Sequence, residues 1–437
     1  MSEEMKTEVA EAVSKAISDL NAISNGKNER VVPSAIMIIA ILERIVDKRL
    51  GVLHLDSFLN IDRGLPVKGQ SINLDKKDMV ILLDEVFPSK SITSEFSDAI
   101  NYLDEIKQLE QKNTISIELN KYDGELLYTS IVREMNLPEY IFASSSVSEL
   151  ASIILDTKEG ESFYDFASGV GLSTACITRG KDNLDITLIE KVSYFTALTE
   201  CMAFLCNKTN LKTGAGEGFA YEERKYDKIF VDPPLKARLG FNTHFLGIES
   251  DDSTLAAVLK TVSVMSENGR AVVMIPGSFL FSTQKAYKEA RKYLVDNSLI
   301  KGVILLPSMW KATSIKTVML VLERNSNTSA MINIASDEDA KIYTSYNKLD
   351  RTRSLSKEAI SFIKERLNGE FLPDNHATLV TKEMIQEQSY SLEPTHYITQ
   401  KEQMSRDLST INADIDSTIS EINALLDSLH LKGGSKQ

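Results

Sequence analysis

The sequence predicts an α/β fold built on a mostly parallel sheet, and the main evidence is a change of pattern near residue 162. From there, short apolar runs rich in β-branched and aromatic residues alternate with segments of helical length and spacing. This alternation is typical of strands joined by crossover helices that cover both faces of a sheet. The predicted strands are Ser162–Phe166, Asp185–Glu190, Tyr226–Val231, Arg270–Ile275, Lys301–Leu306 and Thr317–Leu322, and the predicted helices between them are Tyr194–Cys206, Leu255–Met265 and Tyr287–Asp296.

Residues 1–115 are predicted to form a mainly helical N-terminal domain. Apolar side chains recur there at intervals of three and four residues, which places them on one face of a helix; they are Val9, Val13, Ile17 and Leu20. The apolar segment Ala35–Val46 predicts a second, buried helix. Its uninterrupted apolar run is much shorter than the roughly 18 residues that a membrane span requires, so we expect no membrane segment there.

The chain is predicted to continue as the α/β domain over residues 116–395 and to end in a helical tail over residues 396–437. Polar residues separate the apolar residues of the tail, which are Leu408, Ile411, Ile415, Ile419, Ile422, Leu426 and Leu429. This spacing is typical of an amphipathic helix with an almost coiled-coil seam. The helix could pack against its own domain or dock onto a helix of another subunit, and we expect the second.

The composition describes a globular protein with an acidic surface. The 437 residues are 43% hydrophobic and 25% charged, with a formal net charge of −13. A protein that binds nucleic acid alone usually has a basic surface, so this chain would need a local basic patch and the help of a partner. Its three cysteines, Cys176, Cys201 and Cys206, have neither metal-ligand spacing nor an even number. We therefore expect no metal site and a reducing, cytoplasmic location.

A glycine-rich turn follows the first predicted strand, in the segment Tyr164-Asp165-Phe166-Ala167-Ser168-Gly169-Val170-Gly171. Glycines allow a tight turn and a close approach of the backbone to a ligand. A dinucleotide-binding turn would have a third Gly or Ala where this chain has Ser173 or Thr174. Asp165 would repel a diphosphate, but it suits a ligand with a cationic amino-acid end. The turn therefore favours S-adenosylmethionine (SAM) over NAD.

A second candidate group is Glu190, which ends the next predicted strand. A carboxylate at this place can accept hydrogen bonds from both ribose hydroxyls, which SAM leaves free. The structural alternative is a solvated acid at the start of a helix.

Two consecutive prolines follow a later strand, in the tetrapeptide Asp232-Pro233-Pro234-Leu235. They impose an extended, rigid loop that cannot continue the sheet. An ordinary turn can also contain Pro-Pro, but the position after a SAM-type turn favours a functional role.

The tetrapeptide resembles the (Asp/Asn)-Pro-Pro-(Tyr/Phe) motif of amino-methyltransferases, and the chain resembles the M subunits of type I restriction–modification systems, which are N6-adenine DNA methyltransferases. Similar blocks occur in the family's order at Asn268–Pro276, Leu280-Phe281, Arg291–Leu294, Val303–Pro307, Ile315–Thr317 and Tyr390–Ile398. Phe142–Val147 occupies the place of the family's Phe-Thr-Pro-x-x-Val cofactor motif. The resemblance covers roughly residues 140–398. It implies the fold of class I SAM-dependent methyltransferases, with a Rossmann-like, mostly parallel, seven-stranded sheet.

The resemblance also implies the residues of the site. The cofactor-binding residues would be Phe142, Ala143, Ser144, Asp165, Ser168, Gly169, Gly171, Glu190 and Glu217, and the catalytic segment would be Asp232, Pro233, Pro234 and Leu235. The chain departs from the family pattern where Ala143 and Ser144 replace Thr and Pro, and where Glu217 replaces an Asp that contacts the SAM adenine. Leu235 stands where an aromatic ring normally stacks on the flipped base, so Phe241 or Phe245 is a candidate replacement.

The family's partners would be double-stranded DNA with a flipped adenine, a specificity subunit that reads the DNA sequence and, in some systems, a restriction subunit. Two other functions stay open at this point. One is a catalytically impaired subunit with a structural or SAM-sensing role, which Leu235 and the acidic charge favour. The other is methylation of protein glutamine or RNA, which the blocks after Asn268 argue against.

Overall fold

The structure is a computed structural model. It describes residues 3–24, 29–50, 75–109, 119, 121–137, 144–181, 183–235, 237–309, 315–347, 352–369, 371–398 and 418–419. Nearly all of the predicted C-terminal tail, and with it most of its proposed helical seam, lies outside these residues, as do Phe142 and Ala143. No helix among the described residues is long and apolar enough to cross a membrane.

The N-terminal part is helical, as predicted. Its helices within residues 1–115 are α1 (Glu3–Ser24), α2 (Val31–Leu50), α3 (Lys76–Val86), α4 (Ser91–Glu95) and α5 (Ser97–Leu109). Two more N-terminal helices, α6 (Gly124–Arg133) and α7 (Ser145–Leu155), lie between this region and the first strand. The predicted apolar face of α1 is confirmed, because Val9, Val13 and Leu20 are buried. Helix α3 was not among the individual helices predicted within residues 1–115. It begins at a capping box, in which the Asp75 carboxylate accepts a hydrogen bond from the Asp78 N–H.

A nine-stranded sheet forms the centre of the molecule. Its strands are β1 (Ser162–Asp165), β2 (Asp185–Glu190), β3 (Leu211–Ala215), β4 (Tyr226–Val231), β7 (Met265–Pro276), β8 (Ile300–Leu305), β9 (Thr317–Glu323), β10 (Thr328–Asn333) and β13 (Ala377–Thr381). They lie in the order β13-β10-β8-β9-β7-β4-β1-β2-β3. Two separate hairpins also form, one from β5 (Arg238–Phe245) and β6 (Ile248–Asp252), the other from β11 (Thr344–Asn347) and β12 (Thr352–Leu355).

The sheet is mostly parallel, as predicted. Strands β3, β2, β1, β4 and β7 pair in parallel, and β9 runs antiparallel between β7 and β8. These seven strands correspond to the expected sheet. The expected number of seven was nevertheless too low, because β10 extends the sheet beyond β8 and β13 returns antiparallel beside β10. The two added strands mix Thr, Ser and Asn with their apolar residues, so they lack the apolar run that identified strands such as β9.

Helices cover both faces of the sheet. They are α8 (Leu172–Ile177), α9 (Ser193–Leu205), α10 (Ser253–Val264), α11 (Lys285–Asp296), α12 (Asp337–Tyr343), α13 (Lys357–Leu367) and α14 (Lys382–Glu387). Alternate residues of one strand belong to different apolar cores: Phe163 packs with the N-terminal helices, α9 and α13, whereas Tyr164 packs with α10 and α11. This alternation follows from the two-residue period of a strand.

The N-terminal helices pack directly on helices of the sheet region. The Ser91 hydroxyl of α4 donates to the Glu200 carboxylate of α9 at 2.6 Å, and Phe96 packs edge-on against Tyr194. The buried Tyr128 hydroxyl of α6 donates to the carbonyl of Val170, in the glycine-rich turn, at 2.6 Å. The helical part therefore supports the turn that was predicted to bind the cofactor. The domain limits at residues 115 and 395 stay predictions.

Candidate active site

The predicted site residues that follow β1, β2, β3 and β4 lie at one edge of the sheet, where the carboxyl ends of these strands meet. Asp165 ends β1, Glu190 ends β2, and Asp232 directly follows β4. The strand order reverses here, since β2 lies on one side of β1 and β4 on the other. In open α/β sheets, such a reversal leaves a crevice at the carboxyl ends of the strands, where ligands bind.

The glycine-rich turn is folded tightly against the end of β2. Gly169 and Gly171 have φ angles of 53° and 77°, in the left-handed region that disfavours residues with a Cβ. The Ser168 N–H donates to the carbonyl of Ile189 at 3.2 Å, and the Gly171 N–H donates to the carbonyl of Ser168 at 2.9 Å. The turn thus brings Ser168 and Gly169 beside Glu190 before α8 begins at Leu172.

Glu190 connects the turn to the following helix. One carboxylate oxygen accepts the Gly169 N–H at 2.9 Å, and the other accepts the Val192 N–H at 2.9 Å. Burial raises the pKa of Glu190, and these backbone hydrogen bonds oppose the shift. Each oxygen retains a second lone pair, so the group can still accept hydrogen bonds from the two hydroxyls of a ribose.

Asp165 is a buried carboxyl group. It is 2% exposed and accepts a hydrogen bond from the Ala167 N–H at 3.1 Å. Burial raises its pKa to about 8, with the hydrogen bond from Ala167 opposing and the nearby carboxylates of Asp232 and Glu190 adding to the increase. No ion pair to Asp165 forms within the described part of the chain. A cationic ligand beside it would favour its charged form.

Asp165→Asn is expected to stabilise the unliganded protein at alkaline pH. The folded-state pKa of Asp165 lies well above the ordinary value of an aspartate, 3.8, so the folded state binds more protons and the free energy of unfolding falls as the pH rises from about 4 to about 8. Asparagine keeps the acceptor for Ala167 and avoids burying a charge. The gain should reach a few kcal/mol at most, at about 1.4 kcal/mol per pKa unit. The gain is measured by thermal unfolding of the variant and the wild type at pH 4 and pH 8.5. If the Tm of the variant exceeds that of the wild type by the same amount at both pH values, the raised pKa of Asp165 is contradicted.

Glu217 lies in the turn after β3, next to the glycine-rich turn. Its carboxylate forms an ion pair with Lys191 at 3.1 Å, and the Gly216 N–H donates to the Glu190 carbonyl at 2.9 Å. A Cβ atom added at Gly218 would stand 1.8 Å from the carbonyl oxygen of Phe166, so only glycine fits there. This contact holds the turn after β3 against the turn after β1.

The Asp232-Pro233-Pro234-Leu235 segment leaves the sheet beside Asp165. Burial raises the pKa of the half-buried Asp232 to about 7. Pro233 is buried, Pro234 is exposed, and Leu235 is half-buried. The structure thus brings the four residues to the same edge as the proposed cofactor residues.

The two candidate aromatic rings differ in accessibility. Phe245 is 6% exposed and belongs to the core under α10, whereas Phe241 is 38% exposed on the hairpin that follows the tetrapeptide. Only Phe241 therefore has a free face that could replace the missing aromatic ring.

Ser144 has a different environment from the other predicted cofactor residues. Its buried hydroxyl donates to the carbonyl of Arg353 at 2.9 Å and shares a hydrogen bond with Ser146. Ser146 in turn accepts the Leu355 N–H at 2.8 Å, and Ser148 donates to Ser173 of α8 at 3.0 Å. The Ser144 hydroxyl is thus hydrogen-bonded to β12, whereas Ser148, in the first turn of α7, is hydrogen-bonded to α8.

The described residues fit SAM. Glu190 offers acceptors for a ribose, the buried Asp165 suits a cationic amino-acid end, and the positive φ angles of Gly169 and Gly171 allow the tight turn that brings Ser168 and Gly169 beside Glu190. Two further polar residues near the site, Ser253 and Lys260, were missed at the sequence level. The available signal was a single charged residue, Lys260, in a helix whose other residues are apolar, Ser or Thr.

Comparisons with known proteins agree with this arrangement. The N-6 DNA Methylase family model matches residues 139–406, more than half of the chain. The chain is 29% identical over 167 residues to the type I restriction enzyme MpnII methylase subunit of Mycoplasma pneumoniae, an alignment that covers 38% of this chain and 30% of the relative. It is 24% identical over 318 residues to the MjaVIII methylase subunit of Methanocaldococcus jannaschii, covering 66% of this chain and 53% of the relative.

The chain thus aligns with about half or less of the length of these two relatives. A solved structure, the type I restriction–modification methyltransferase subunit from Streptococcus thermophilus, superposes with a TM-score of 0.68 at 15% identity, over 90% of this chain and 100% of that one. This similarity confirms the predicted methyltransferase fold. With more than half of its residues matched by the family model, the chain belongs to the N-6 DNA methylase family.

Proposed function

We propose that the chain transfers a methyl group from SAM to N6 of adenine in DNA, as the modification subunit of a restriction–modification complex. The observation that carries the proposal is the position of Asp232 and the two prolines beside Asp165 and Glu190, at one carboxyl edge of the sheet. A group that accepts hydrogen bonds from an amino group thereby lies next to residues suited to a cationic nucleoside.

The chemistry assigned to the tetrapeptide is activation of a weak nucleophile. The N6 lone pair of adenine is delocalised into the ring, and SAM, when bound, supplies an electrophilic methyl group. The Asp232 carboxylate and the Pro233 carbonyl would accept the two N–H groups and direct the lone pair away from the ring. Acceptors that bind more strongly in the transition state than in the ground state lower the barrier.

Phe241→Ala is expected to lower methyl transfer about tenfold or more, chiefly through weaker binding of the flipped base. Stacking on an aromatic ring contributes about 1–3 kcal/mol per base, and Leu235 has no π-face. The measurement is kcat/KM for DNA, with the exposed Tyr221 changed to Ala as the control for loss of a surface ring. Normal kcat/KM in Phe241→Ala would exclude Phe241 as the stacking group.

The proposed partner is a specificity subunit, which would supply the sequence reading and part of the basic surface that a chain of net charge −13 lacks. A chain ending at Ile398 is expected to bind SAM normally but to lose its partner, because the amphipathic tail would form the contact. Copurification from native cells and SAM titration measure the two properties. Intact assembly of the shortened chain would refute this role of the tail.

A catalytically impaired, SAM-sensing or structural subunit is the second candidate, and Leu235 is the observation that favours it. Single-molecule sequencing for N6-methyladenine separates the two functions, with native cells compared with cells lacking the chain. Loss of methylation at one defined motif is expected. Identical methylation patterns would support the second candidate.

A further inference from the structure

Helix α10 contacts the segment after the two prolines with one end and the turn after β3 with the other, and it is buried over nearly its whole length. All of its residues from Ser253 to Thr261 are buried, including the polar Ser253, Thr254, Lys260 and Thr261. Ser253 and Lys260 are seven residues apart, which is about two helical turns, so both side chains project from one side of the helix. Neither has a role in the chemistry described above.

The Ser253 end of the helix holds the segment after the two prolines. The Ser253 hydroxyl, fully buried, donates to the carbonyl of Pro234 at 2.7 Å and accepts the Ala237 N–H at 3.1 Å. The Ser253 N–H also donates to the Ala237 carbonyl at 3.0 Å. These three hydrogen bonds fix both ends of the short stretch that contains Leu235.

The first turn of α10 is itself fixed in place. Asp252 accepts the N–H groups of Thr254 and Leu255 at 3.0 and 3.1 Å, as an N-cap residue. The Tyr287 hydroxyl of α11 donates to the same carboxylate oxygen at 3.0 Å. Ser253 is therefore part of a helix whose first turn is fixed by hydrogen bonds.

The Lys260 end of the helix holds the turn after β3. Its amino group donates to the carbonyls of Gly218 and Ala220 at 2.6 and 2.7 Å, although the side chain is only 2% exposed. The amino group also lies 5.0 Å from the ring centre of Phe166, within cation–π distance. Burial lowers the pKa of Lys260 to about 8, and the carboxylates of Glu222 and Glu217 oppose this shift.

The contacts of Lys260 join the two turns that flank the proposed cofactor position. Gly218 follows Glu217 directly and touches the Phe166 carbonyl, while Phe166 packs edge-on against Phe219 at 5.7 Å. Without the lysine, the carbonyl of the buried Gly218 and that of the exposed Ala220 would both lose their donor, and the turn after β3 would lose its attachment to the interior.

We propose that α10 is a positioning helix for both substrates: Ser253 sets the geometry of the catalytic segment, and Lys260 sets the wall of the cofactor pocket. This inference rests on the proposed methyl transfer. Neither side chain is assigned contact with a reacting atom. The two residues should therefore affect different kinetic parameters, which a general loss of stability would not produce.

Two variants and two matched controls test the inference. Ser253→Ala is compared with Ser329→Ala, since the buried Ser329 hydroxyl also donates to a backbone carbonyl at 2.7 Å, that of Ile300, near the amino end of β8. Lys260→Met is compared with Lys208→Met, since the Lys208 amino group also donates to two carbonyls, those of Thr178 and Lys181.

The full chain is purified with its native partners. SAM binding is measured by calorimetry, and kcat by transfer of a tritiated methyl group to genomic DNA from cells lacking the chain. Lys260→Met should raise the Kd for SAM about tenfold or more, while kcat at saturating SAM changes by less than about threefold. Ser253→Ala should have the opposite effect: kcat should fall about tenfold or more, and the Kd for SAM should stay nearly normal. The controls should change neither value by more than about threefold.

Similar losses in a variant and its control, or no change in either variant, would overturn the proposal. Lys260→Gln keeps one hydrogen-bond donor and should give an intermediate Kd, which tests the assignment even if Lys260→Met folds poorly. If the wild-type complex is active but the Lys260 and Ser253 variants each change the Kd for SAM and kcat together, the inference about α10 is refuted and the proposed function is not. A wild-type complex that binds SAM but methylates no DNA refutes the proposed function, and the Kd of the Lys260 variants then still decides the cofactor half of the inference.

Discussion

Asp232→Ala is expected to lower methyl transfer by at least about a hundredfold and to leave SAM binding nearly unchanged. The methyl side chain of alanine cannot accept a hydrogen bond from the adenine amino group, and removal of one such electrostatic contact typically costs about 10²–10³ in kcat. The measurement is methyl transfer to unmethylated genomic DNA, with the Kd for SAM determined in parallel. In cells carrying this variant, N6-methyladenine should disappear from the recognition motif.

Asp232→Asn is the matched control, because asparagine also occurs at this position of the motif and keeps one oxygen acceptor. The raised pKa of Asp232, about 7, predicts that kcat/KM for DNA in the wild type rises as the pH increases through 7, since the charged carboxylate is the stronger acceptor. The asparagine variant should retain activity without this rise. Full activity of Asp232→Ala would refute the assignment of the tetrapeptide.

Glu190→Ala is expected to weaken SAM binding about a hundredfold or more. The variant would lose two hydrogen bonds that the ribose hydroxyls donate to the carboxylate, at roughly 1.5–3 kcal/mol each. It would also remove the acceptor for the Gly169 and Val192 N–H groups, so the glycine-rich turn would lose its attachment to β2. Calorimetric titration with SAM measures the change directly, without requiring DNA or a partner subunit.

Asp185→Ala provides the control for the same strand. Asp185 begins β2 at the end away from the site, where its carboxylate bonds Arg224 at 2.7 Å. Its loss should leave the Kd for SAM within about threefold of the wild-type value. Equal effects of the two substitutions would mean that Glu190 acts on the stability of β2 and has no direct role in cofactor binding.

The sequence was sufficient to predict the central strands of the sheet, because a strand that is buried on both faces consists mostly of consecutive apolar residues. Strand β9, from Thr317 to Glu323, is an example with nearly all of its residues buried. Strand β3 and the β5–β6 hairpin were not predicted, since both are half-exposed and mix Lys, Thr, Asn and Gly with few apolar residues. Such segments form strands because they pair with a neighbouring strand, and not because of their own residue pattern.

The predicted helix Leu255–Met265 shows that the spacing of apolar residues does not locate the end of a helix accurately. The structure ends α10 at Val264 and starts β7 at Met265, with no turn between them. No proline or glycine stands at this junction, and the strand opens with the polar residues Ser266, Glu267 and Asn268 before Gly269, so the sequence predicted the strand only from Arg270. Only the pairing of Met265 with Tyr226 of β4 decides where the strand begins.

The sequence by itself determined the fold class and the identity of the turn and tetrapeptide residues, because glycines, paired prolines and strand-end acids impose local backbone geometry wherever they stand. The tertiary structure decided which of them meet. Asp165, Glu190 and Asp232 are far apart in the chain, and the order of β2, β1 and β4 places them together. It also buried Phe245 and exposed Phe241, and gave Ser253 and Lys260 their partners. These outcomes depend on contacts between distant segments, which no local pattern of residues encodes.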